Sequence, residues 1–262
     1  MLTIGERING MFKDVGKAIT SKDKNVIQDL AKKQVECGAD VLDVNVGPAA
    51  ADAVAAMRWL IESIQEVTDV PLALDSTKAD VIEEGLKLAK KKAIINSTTA
   101  KKAKLDTLLP LAKKYDSGII GLTMGESGIP RDRNERAEHA AVIISACMEA
   151  GIPIENLYLD PIILPVNVTQ FQSLEVLEAI RDLKILSDPA PKTVLGLSNV
   201  SQGTDKRSLI NRTFLVMAIA NGLDAAIVDP MDNELMDAAI TAELLLNKHI
   251  YCDSFLDAYR KK

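Results

Sequence analysis

The transition from a helix to a strand is clearest in residues 26–46, which read VIQDLAKKQVECGADVLDVNV. Apolar residues first recur at the spacing of one helix face, and Cys37-Gly38-Ala39-Asp40 then leads into a β-branched run. Glycine supplies the left-handed conformation that ends a helix. The same step recurs at Ala150-Gly151-Ile152-Pro153 and at Asn221-Gly222-Leu223-Asp224. The stretch therefore predicts one unit of a repeated βα pattern.

Short runs rich in β-branched residues recur along the whole chain, separated by segments with helical periodicity. They are Leu2–Ile8, Asp40–Val46, Pro71–Ser76, Lys92–Ser97, Gly118–Met124, Leu157–Ile163, Thr193–Asn199 and Ala225–Pro230. Alternating strands and helices predict a parallel sheet, and eight units in about 250 residues fit a closed (β/α)8 TIM barrel. The alternative, an open doubly wound sheet, often carries a glycine-rich phosphate turn, and neither GxGxxG nor GxxxxGKS/T occurs. We predict one α/β TIM-barrel domain over residues 1–262, with Met231–Lys262 forming the eighth helix and a short extra C-terminal helix.

Composition and charge exclude several classes of protein. The 262 residues carry 31 Lys and Arg against 37 Asp and Glu, a net charge of −6, and 47% of them are hydrophobic. This balance is typical of a globular protein with a sizeable core. An acidic chain lacks the basic face that nucleic acid needs, and no apolar run reaches the length of a membrane span. Three cysteines without CxxC spacing and an N-terminus unlike a signal peptide indicate a cytoplasmic protein.

Most of the predicted strands end in polar side chains, although strands of a buried parallel sheet should be apolar. These residues are Glu6, Asn9, Asp43, Asn45, Asp75, Ser76, Asn96, Asp160, Ser198, Asn199 and Asp229. In a barrel they converge on the face where catalytic groups sit. The alternative is that some of them only cap the next helix, as Ser76 or Thr77 could do while Asp75 faces inward.

Alternate residues of a strand share a face, so Asp43 and Asn45 are predicted to point the same way, as are Leu195, Leu197 and Asn199. Carboxylates and amides gathered in one ring make a site rich in hydrogen-bond acceptors. Such a site suits a flat heterocycle with an amidine or guanidine edge, because one carboxylate can accept two parallel N–H bonds. It suits a phosphate poorly.

Motifs at successive strand ends resemble the pterin-binding methyltransferase family. They are Gly5-Glu6-Arg7-Ile8-Asn9, Asp43-Val44-Asn45-Val46-Gly47, Asp75-Ser76-Thr77, Asn96-Ser97, Asp160-Pro161 and Leu197-Ser198-Asn199. The family includes the folate domain of cobalamin-dependent methionine synthase and, more distantly, dihydropteroate synthase. The chain is similar in particular to the methyltetrahydrofolate:corrinoid/iron–sulfur protein methyltransferases of the reductive acetyl-CoA pathway. It lacks the early phosphate loop and the late Ser-Arg-Lys motif of dihydropteroate synthase, which argues against that activity.

The resemblance implies roles for individual residues. Carboxylates and an amide that hold the pterin in the family match Asp75, Asp160 and Asn96, and its asparagine beside the methylated ring nitrogen matches Asn199. Asn199 is therefore the predicted catalytic hydrogen-bond donor. The further predicted substrate-binding residues are Ser198, Asp43, Glu6 and Arg207, the last as a cation for the glutamate tail of folate. The sequence leaves open whether Glu6 contacts the ligand or forms an internal ion pair with Arg7.

The resemblance implies transfer of the methyl group of 5-methyltetrahydrofolate to the cobalt(I) of a corrinoid. A cobalamin-binding signature is absent, so the corrinoid is expected on a separate corrinoid/iron–sulfur protein. No Cys or His cluster has the spacing of metal ligands, so no metal is expected in this chain. Family likeness also implies a homodimer. The alternatives are a related corrinoid methyltransferase with another pterin or from a demethylase system, and a pterin-binding module without catalysis.

Overall fold

Eight parallel strands close into a barrel in a computed structural model that describes residues 1–48 and 50–260. The strands are β1 (Leu2–Asn9), β2 (Val41–Asn45), β3 (Leu72–Asp75), β4 (Ile94–Thr99), β5 (Gly118–Leu122), β6 (Leu157–Asp160), β7 (Lys192–Gly196) and β8 (Ala225–Val228). Each strand pairs with its neighbours in chain order, and β8 closes on β1 with Ile227 opposite Ile4. The predicted TIM barrel is confirmed.

Helices connect the strands and cover the outside of the barrel. They are α1 (Lys13–Ser21), α2 (Lys24–Glu36), α3 (Ala53–Gln65), α4 (Ala79–Leu88), α5 (Lys102–Lys114), α6 (Arg133–Ala150), α7 (Gln172–Leu183), α8 (Arg207–Ala220), α9 (Asn233–Leu245) and α10 (Phe255–Tyr259). The final helix is the predicted short C-terminal one, whereas Lys261 and Lys262 lie outside the described residues. None of these helices combines the length and the apolar character needed to cross a membrane.

Glycines end the helices where the sequence predicts. Gly38, Gly151 and Gly222 have φ angles of 101°, 71° and 99°, which is the left-handed region that favours glycine. At each of them the chain reverses from a helix to the strand that follows. The repeated βα unit predicted from these positions is therefore present.

The seventh strand is shorter than predicted. Pairing between β7 and β8 stops at Gly196 opposite Ile227, and Leu197–Ser201 form a 3₁₀ turn instead of continuing the strand. The turn closes on itself, since Gln202 N donates to the Asn199 carbonyl at 3.2 Å. The prediction that Leu195, Leu197 and Asn199 share one strand face is therefore wrong, because strand alternation ends before Asn199 does.

The inside of the barrel is filled at one end and polar at the other. A plug of buried residues, one from each strand, occupies the lower part: Ile4, Val41, Ala73, Ile94, Ile120, Tyr158, Val194 and Ala225. Because strand side chains alternate, the residue two positions further along each strand faces the same interior. On five strands that residue is polar: Glu6, Asp43, Asp75, Asn96 and Asp160. The apolar plug thus gives way to a polar ring at the carboxyl ends of the strands.

Candidate active site

Two carboxylate–amide pairs join β2, β3 and β4 in the polar ring. Asn45 Nδ2 donates to Asp75 Oδ2 at 2.6 Å, and Asn96 Nδ2 donates to Asp43 Oδ1 at 3.0 Å. Asn45 is itself held by the main chain, because its Oδ1 accepts from Gly47 N at 2.7 Å. The second oxygen of each carboxylate has no hydrogen-bond partner among the described residues. The ring therefore presents acceptors that a ligand with N–H donors can satisfy.

Negative charge is unfavourable in this ring without a ligand. Burial raises the pKa of Asp43 well above its ordinary value, and the neighbouring charge of Asp75 raises it further, while the bond from Asn96 lowers it. Burial also raises the pKa of Asp75, against the bond from Asn45. Each carboxylate makes the other more costly to ionise, since two like charges share a dry site. A ligand that brings donors or positive charge removes part of this cost.

Asp160 reaches the ring from the end of β6 and is fixed by the main chain around it. Its Oδ1 accepts from Ile162 N at 2.7 Å, and its carbonyl accepts from Thr123 N at 2.9 Å. Burial raises the pKa of the Asp160 carboxyl to about 6, against hydrogen bonds from the main chain of Ile162 and Gly196 and the nearby charge of Arg136. Asp160 is thus a preoriented acceptor that titrates close to neutral pH.

Glu6 completes the ring from β1. Ser198 Oγ donates to Glu6 Oε2 at 2.9 Å, which ties the first strand to the turn after β7. Burial raises the pKa of Glu6, the bond from Ser198 lowers it, and the charge of Asp229 raises it again. An internal Glu6–Arg7 ion pair, one of the two alternatives, is not formed, because Arg7 pairs with Asp14 at 3.0 Å.

A cavity of about 580 Å³ opens beside Glu6 and Ser198 at the barrel mouth. Asn199 and Arg207 line it, as do Arg7 and Phe12, and the Arg7 guanidinium lies over the Phe12 ring at 4.0 Å. Such a volume, with one apolar wall and several polar groups, is in the range of small-molecule sites. Four of the predicted site residues therefore lie on one cavity.

Asn199 and Arg207 differ in how firmly they are held. The Asn199 side chain is exposed, and its amide makes no hydrogen bond to any described residue. Arg207 donates from Nε to Ser201 Oγ at 3.1 Å and from Nη2 to the Ser198 carbonyl at 3.1 Å. The guanidinium thus braces the turn that carries Asn199, while the amide itself can reorient toward a ligand.

Residues 11–229 match the protein family described as pterin binding enzyme. The chain belongs to the pterin-binding enzyme family. The match begins in the loop after β1 and ends at Asp229, so it includes every predicted site residue except Glu6. Membership of a pterin-binding family, predicted from the strand-end motifs, is confirmed.

Two curated relatives illustrate what the chain is similar to. The chain is 29% identical to a methylcorrinoid:tetrahydrofolate methyltransferase from Eubacterium limosum, over 100% of this chain and 97% of that protein. It is 30% identical to the methionine synthase of Mycobacterium tuberculosis over 87% of this chain, but it spans only 20% of that larger protein. The first of these relatives matches along its whole length.

Solved structures of the family confirm the architecture. The dihydropteroate synthase of Yersinia pestis, determined with a sulfonamide drug complex, superposes with a TM-score of 0.73 at 18% identity. The match covers 95% of this chain and 94% of that one. At such low identity the likeness concerns the fold alone.

Asn45 is a member of the polar ring that was not among the predicted site residues. Asn45 bridges to Asp75, although its position two residues after Asp43 already placed it on the same strand face. Strand-end side chains also accept from the main-chain N–H two residues on, as Asn9, Asp160 and Asp229 do.

The alternative that Ser76 or Thr77 caps the next helix is wrong. Helix α4 begins after Lys78, which makes no side-chain capping hydrogen bond. Ser76 Oγ instead accepts from Lys78 N at 3.1 Å. Ser76 therefore forms a turn at the end of β3 and does not cap α4.

No group of three or more His, Cys, Asp or Glu side chains within residues 1–48 and 50–260 could hold a metal ion. The carboxylates of the polar ring are held by amides, a hydroxyl and main-chain N–H groups, an arrangement that accepts hydrogen bonds from a ligand's N–H groups.

Proposed function

We propose that this protein transfers the methyl group of 5-methyltetrahydrofolate to the cobalt(I) of a corrinoid carried by a separate corrinoid/iron–sulfur protein. The observation that carries the proposal is the polar ring, in which two Asp–Asn pairs and Asp160 offer oriented acceptors to a flat nitrogen-rich ring. A carboxylate can accept both N–H bonds of an aminopyrimidine edge. The full-length likeness to a methylcorrinoid:tetrahydrofolate methyltransferase supports a folate and a corrinoid as the two reactants.

Substrate binding is assigned to the ring. Asp75 and Asp160 accept from the aminopyrimidine, and Asn96 fixes its orientation while holding Asp43. The cavity meets the ring at Glu6 and is lined by Phe12 and Arg7, and we assign the aminobenzoate part of folate to it. Arg207 lines the same cavity and offers positive charge to the glutamate tail.

The chemical difficulty lies in the leaving group. Cobalt(I) attacks the methyl carbon, the carbon–nitrogen pair returns to the ring nitrogen, and that nitrogen takes up a proton to give tetrahydrofolate and methylcobalt(III). An amine leaving as an anion is prohibitive, so a donor must act on the nitrogen as the bond breaks. We assign that donor to the Asn199 amide, with the proton arriving through a network that includes Ser198 and Asp43.

The name of the full-length relative specifically favours a second candidate function. The name methylcorrinoid:tetrahydrofolate methyltransferase gives a methylcorrinoid as the methyl donor and tetrahydrofolate as the acceptor. The same site serves both directions, because the two reactions share a transition state. Direction then depends on which corrinoid protein the chain meets.

A direct assay separates catalysis from mere binding. The purified protein is mixed with 5-methyltetrahydrofolate and chemically reduced cobalamin, and the conversion of cobalt(I) to methylcobalt(III) is followed by its absorbance. Transfer supports the proposal, and the reverse assay with methylcobalamin and tetrahydrofolate measures the second direction. Binding of the folate without transfer in either direction would support a non-catalytic pterin-binding module instead.

Folate binding is expected to weaken as the pH falls through about 6, because Asp160 must be ionised to accept two N–H bonds. With that pKa, the ionised fraction falls from about 90% at pH 7 to about 10% at pH 5. The dissociation constant of 5-methyltetrahydrofolate should therefore rise about tenfold between these pH values. Titration calorimetry at each pH measures it, and a constant value over this range would contradict the assignment of Asp160.

We also propose that the protein acts as a homodimer in the cytoplasm. Large apolar side chains are exposed on the neighbouring helices α7 and α8, including Leu174 and Leu209, which are 60% and 53% exposed. Unpaired Cys37, Cys147 and Cys252 suit a reducing compartment. Sedimentation analysis is expected to give about twice the chain mass of 28.3 kDa, and a monomer at micromolar concentration would contradict the dimer.

A further inference from the structure

Arg136 is a charged side chain that lies entirely inside the protein. It belongs to the first turn of α6 and has no exposed surface. Its Nε donates to the Pro161 carbonyl at 2.6 Å, and its Nη2 donates to Gln172 Oε1 at 2.6 Å and to the Ile162 carbonyl at 3.3 Å. The buried Nη1 meets no acceptor in the described part of the chain. The guanidinium thus reaches across to the loop that follows β6.

That loop is the turn on which Asp160 depends. Ile162 donates its N–H to Asp160 Oδ1 and has a φ of 61°, a left-handed conformation that is unfavourable for a β-branched residue. The carbonyls held by Arg136 lie on either side of this strained residue's N–H. Because both are fixed by one planar fork, the guanidinium keeps the Ile162 N–H aimed at the Asp160 carboxylate.

The charge of Arg136 is not balanced by a contact ion pair. Among the described residues no carboxylate lies within 4.0 Å of its guanidinium; the acidic groups that act on it from further away are Glu175 on α7, Asp132 and Glu135 at the start of α6, and Asp160 on β6. Of these, Asp160 faces the polar ring. The same charge lowers the pKa of Asp160 against the effect of its burial. A neutral side chain of similar length would fill the space without burying a charge, so packing alone does not require arginine.

We propose that Arg136 is a positioning residue for the pterin site: it holds the Asp160–Pro161–Ile162 turn through two carbonyls and supplies the positive charge that supports the Asp160 carboxylate. The proposal rests on the proposed function, in which Asp160 accepts hydrogen bonds from the pterin. It adds a residue from a helix, outside the ring, to the determinants of folate affinity and of its pH dependence.

The test compares the dissociation constant of 5-methyltetrahydrofolate from pH 5 to pH 8 for the wild-type protein, R136M and R136K. Because R136M removes the charge and the fork, it should weaken binding at pH 6 about tenfold and move the acid limb of the profile to higher pH by up to about one unit. Arg136→Lys keeps the charge, so its acid limb should stay near that of the wild type while affinity falls at every pH. The matched control is R133M, which removes an exposed arginine of the same helix that pairs with Glu178.

A second background tests whether the effect of Arg136 on pH dependence acts through Asp160. In D160N the pH limb attributed to Asp160 is removed, so adding R136M should cause no further change in pH dependence. If wild-type protein does not bind 5-methyltetrahydrofolate at all, the proposed function fails. If it binds, D160N weakens binding, and folded R136M keeps the wild-type affinity and pH profile, only the role of Arg136 is overturned. Should R136M not fold, a shifted acid limb in R136K would overturn the proposal, since lysine keeps the charge.

Discussion

Replacing Asn199 by alanine is expected to slow methyl transfer from 5-methyltetrahydrofolate to cobalt(I) about 10²- to 10³-fold at saturating folate, the usual effect of losing one preoriented donor. The amide is assigned to the ring nitrogen only as the methyl leaves, so its loss should affect the rate far more than the affinity. The methyl-transfer assay with reduced cobalamin gives the rate, and titration calorimetry gives the dissociation constant of the folate.

The position of Asn199 makes it suited to this role. Its exposed amide has no hydrogen bond to the described residues, while the turn that carries it is braced by Arg207 and by the Ser198–Glu6 bond. A fixed turn with an unengaged amide can reorient one side chain toward the substrate at little cost. The matched control is Asn221→Ala, which removes a half-buried amide at the other end of α8. Near-normal turnover of the Asn199 variant, with unchanged affinity, would disprove its assignment as the donor.

Replacing Asp160 by asparagine is expected to stabilise the protein at neutral pH while weakening folate binding about 10²-fold, because a donor then faces an N–H of the pterin. A pKa of about 6 for a group that ordinarily titrates near 3.8 means that its ionised form destabilises the folded state above pH 6, by at most about 3 kcal/mol. Asparagine still accepts from Ile162 N, but Arg136 loses a compensating charge. A net gain of about 1–2 kcal/mol is therefore expected.

The sign of this effect is open to measurement by urea unfolding at two pH values. Above pH 6 the wild-type carboxylate is charged in both states and the variant should be more stable. At pH 4 the folded state holds the proton, much of the difference vanishes, and the two proteins should unfold at similar urea concentrations. Asp69→Asn, an exposed carboxylate paired loosely with Lys91 at 3.7 Å, is the control and should change stability little. A less stable Asp160→Asn protein at pH 8 would contradict the cost assigned to the buried charge.

The fold could be predicted from the sequence because local signals repeat in step with the structure. Gly38, Gly151 and Gly222 each end a helix and precede a strand, and their left-handed φ angles are the reason that glycine stands there. The polar ring could also be predicted, since carboxylates such as Asp43 at the ends of apolar strands converge at one end of a barrel. Each of these inferences needs only neighbours along the chain.

The parts that could not be predicted depend on neighbours across the barrel. Strand periodicity cannot show that β7 loses its partner at Gly196 and that Asn199 therefore leaves the strand. It cannot show that Glu6 meets Ser198, 192 residues away, while Arg7 turns to Asp14. Arg136 carries no motif at all: its importance follows only from its burial against the turn after Asp160.

The plug of eight side chains at the lower end of the barrel restricts ligand access to the opposite end. Since Ile4, Tyr158 and the other plug residues fill that end, the pteridine enters from the carboxyl ends of the strands. In the proposed reaction the corrinoid has to approach from the same side. A corrinoid protein bound over this opening blocks the release of folate during transfer. The product folate is then exchanged for substrate only after the corrinoid protein has dissociated. The lifetime of the complex between the two proteins therefore sets an upper limit on the turnover rate.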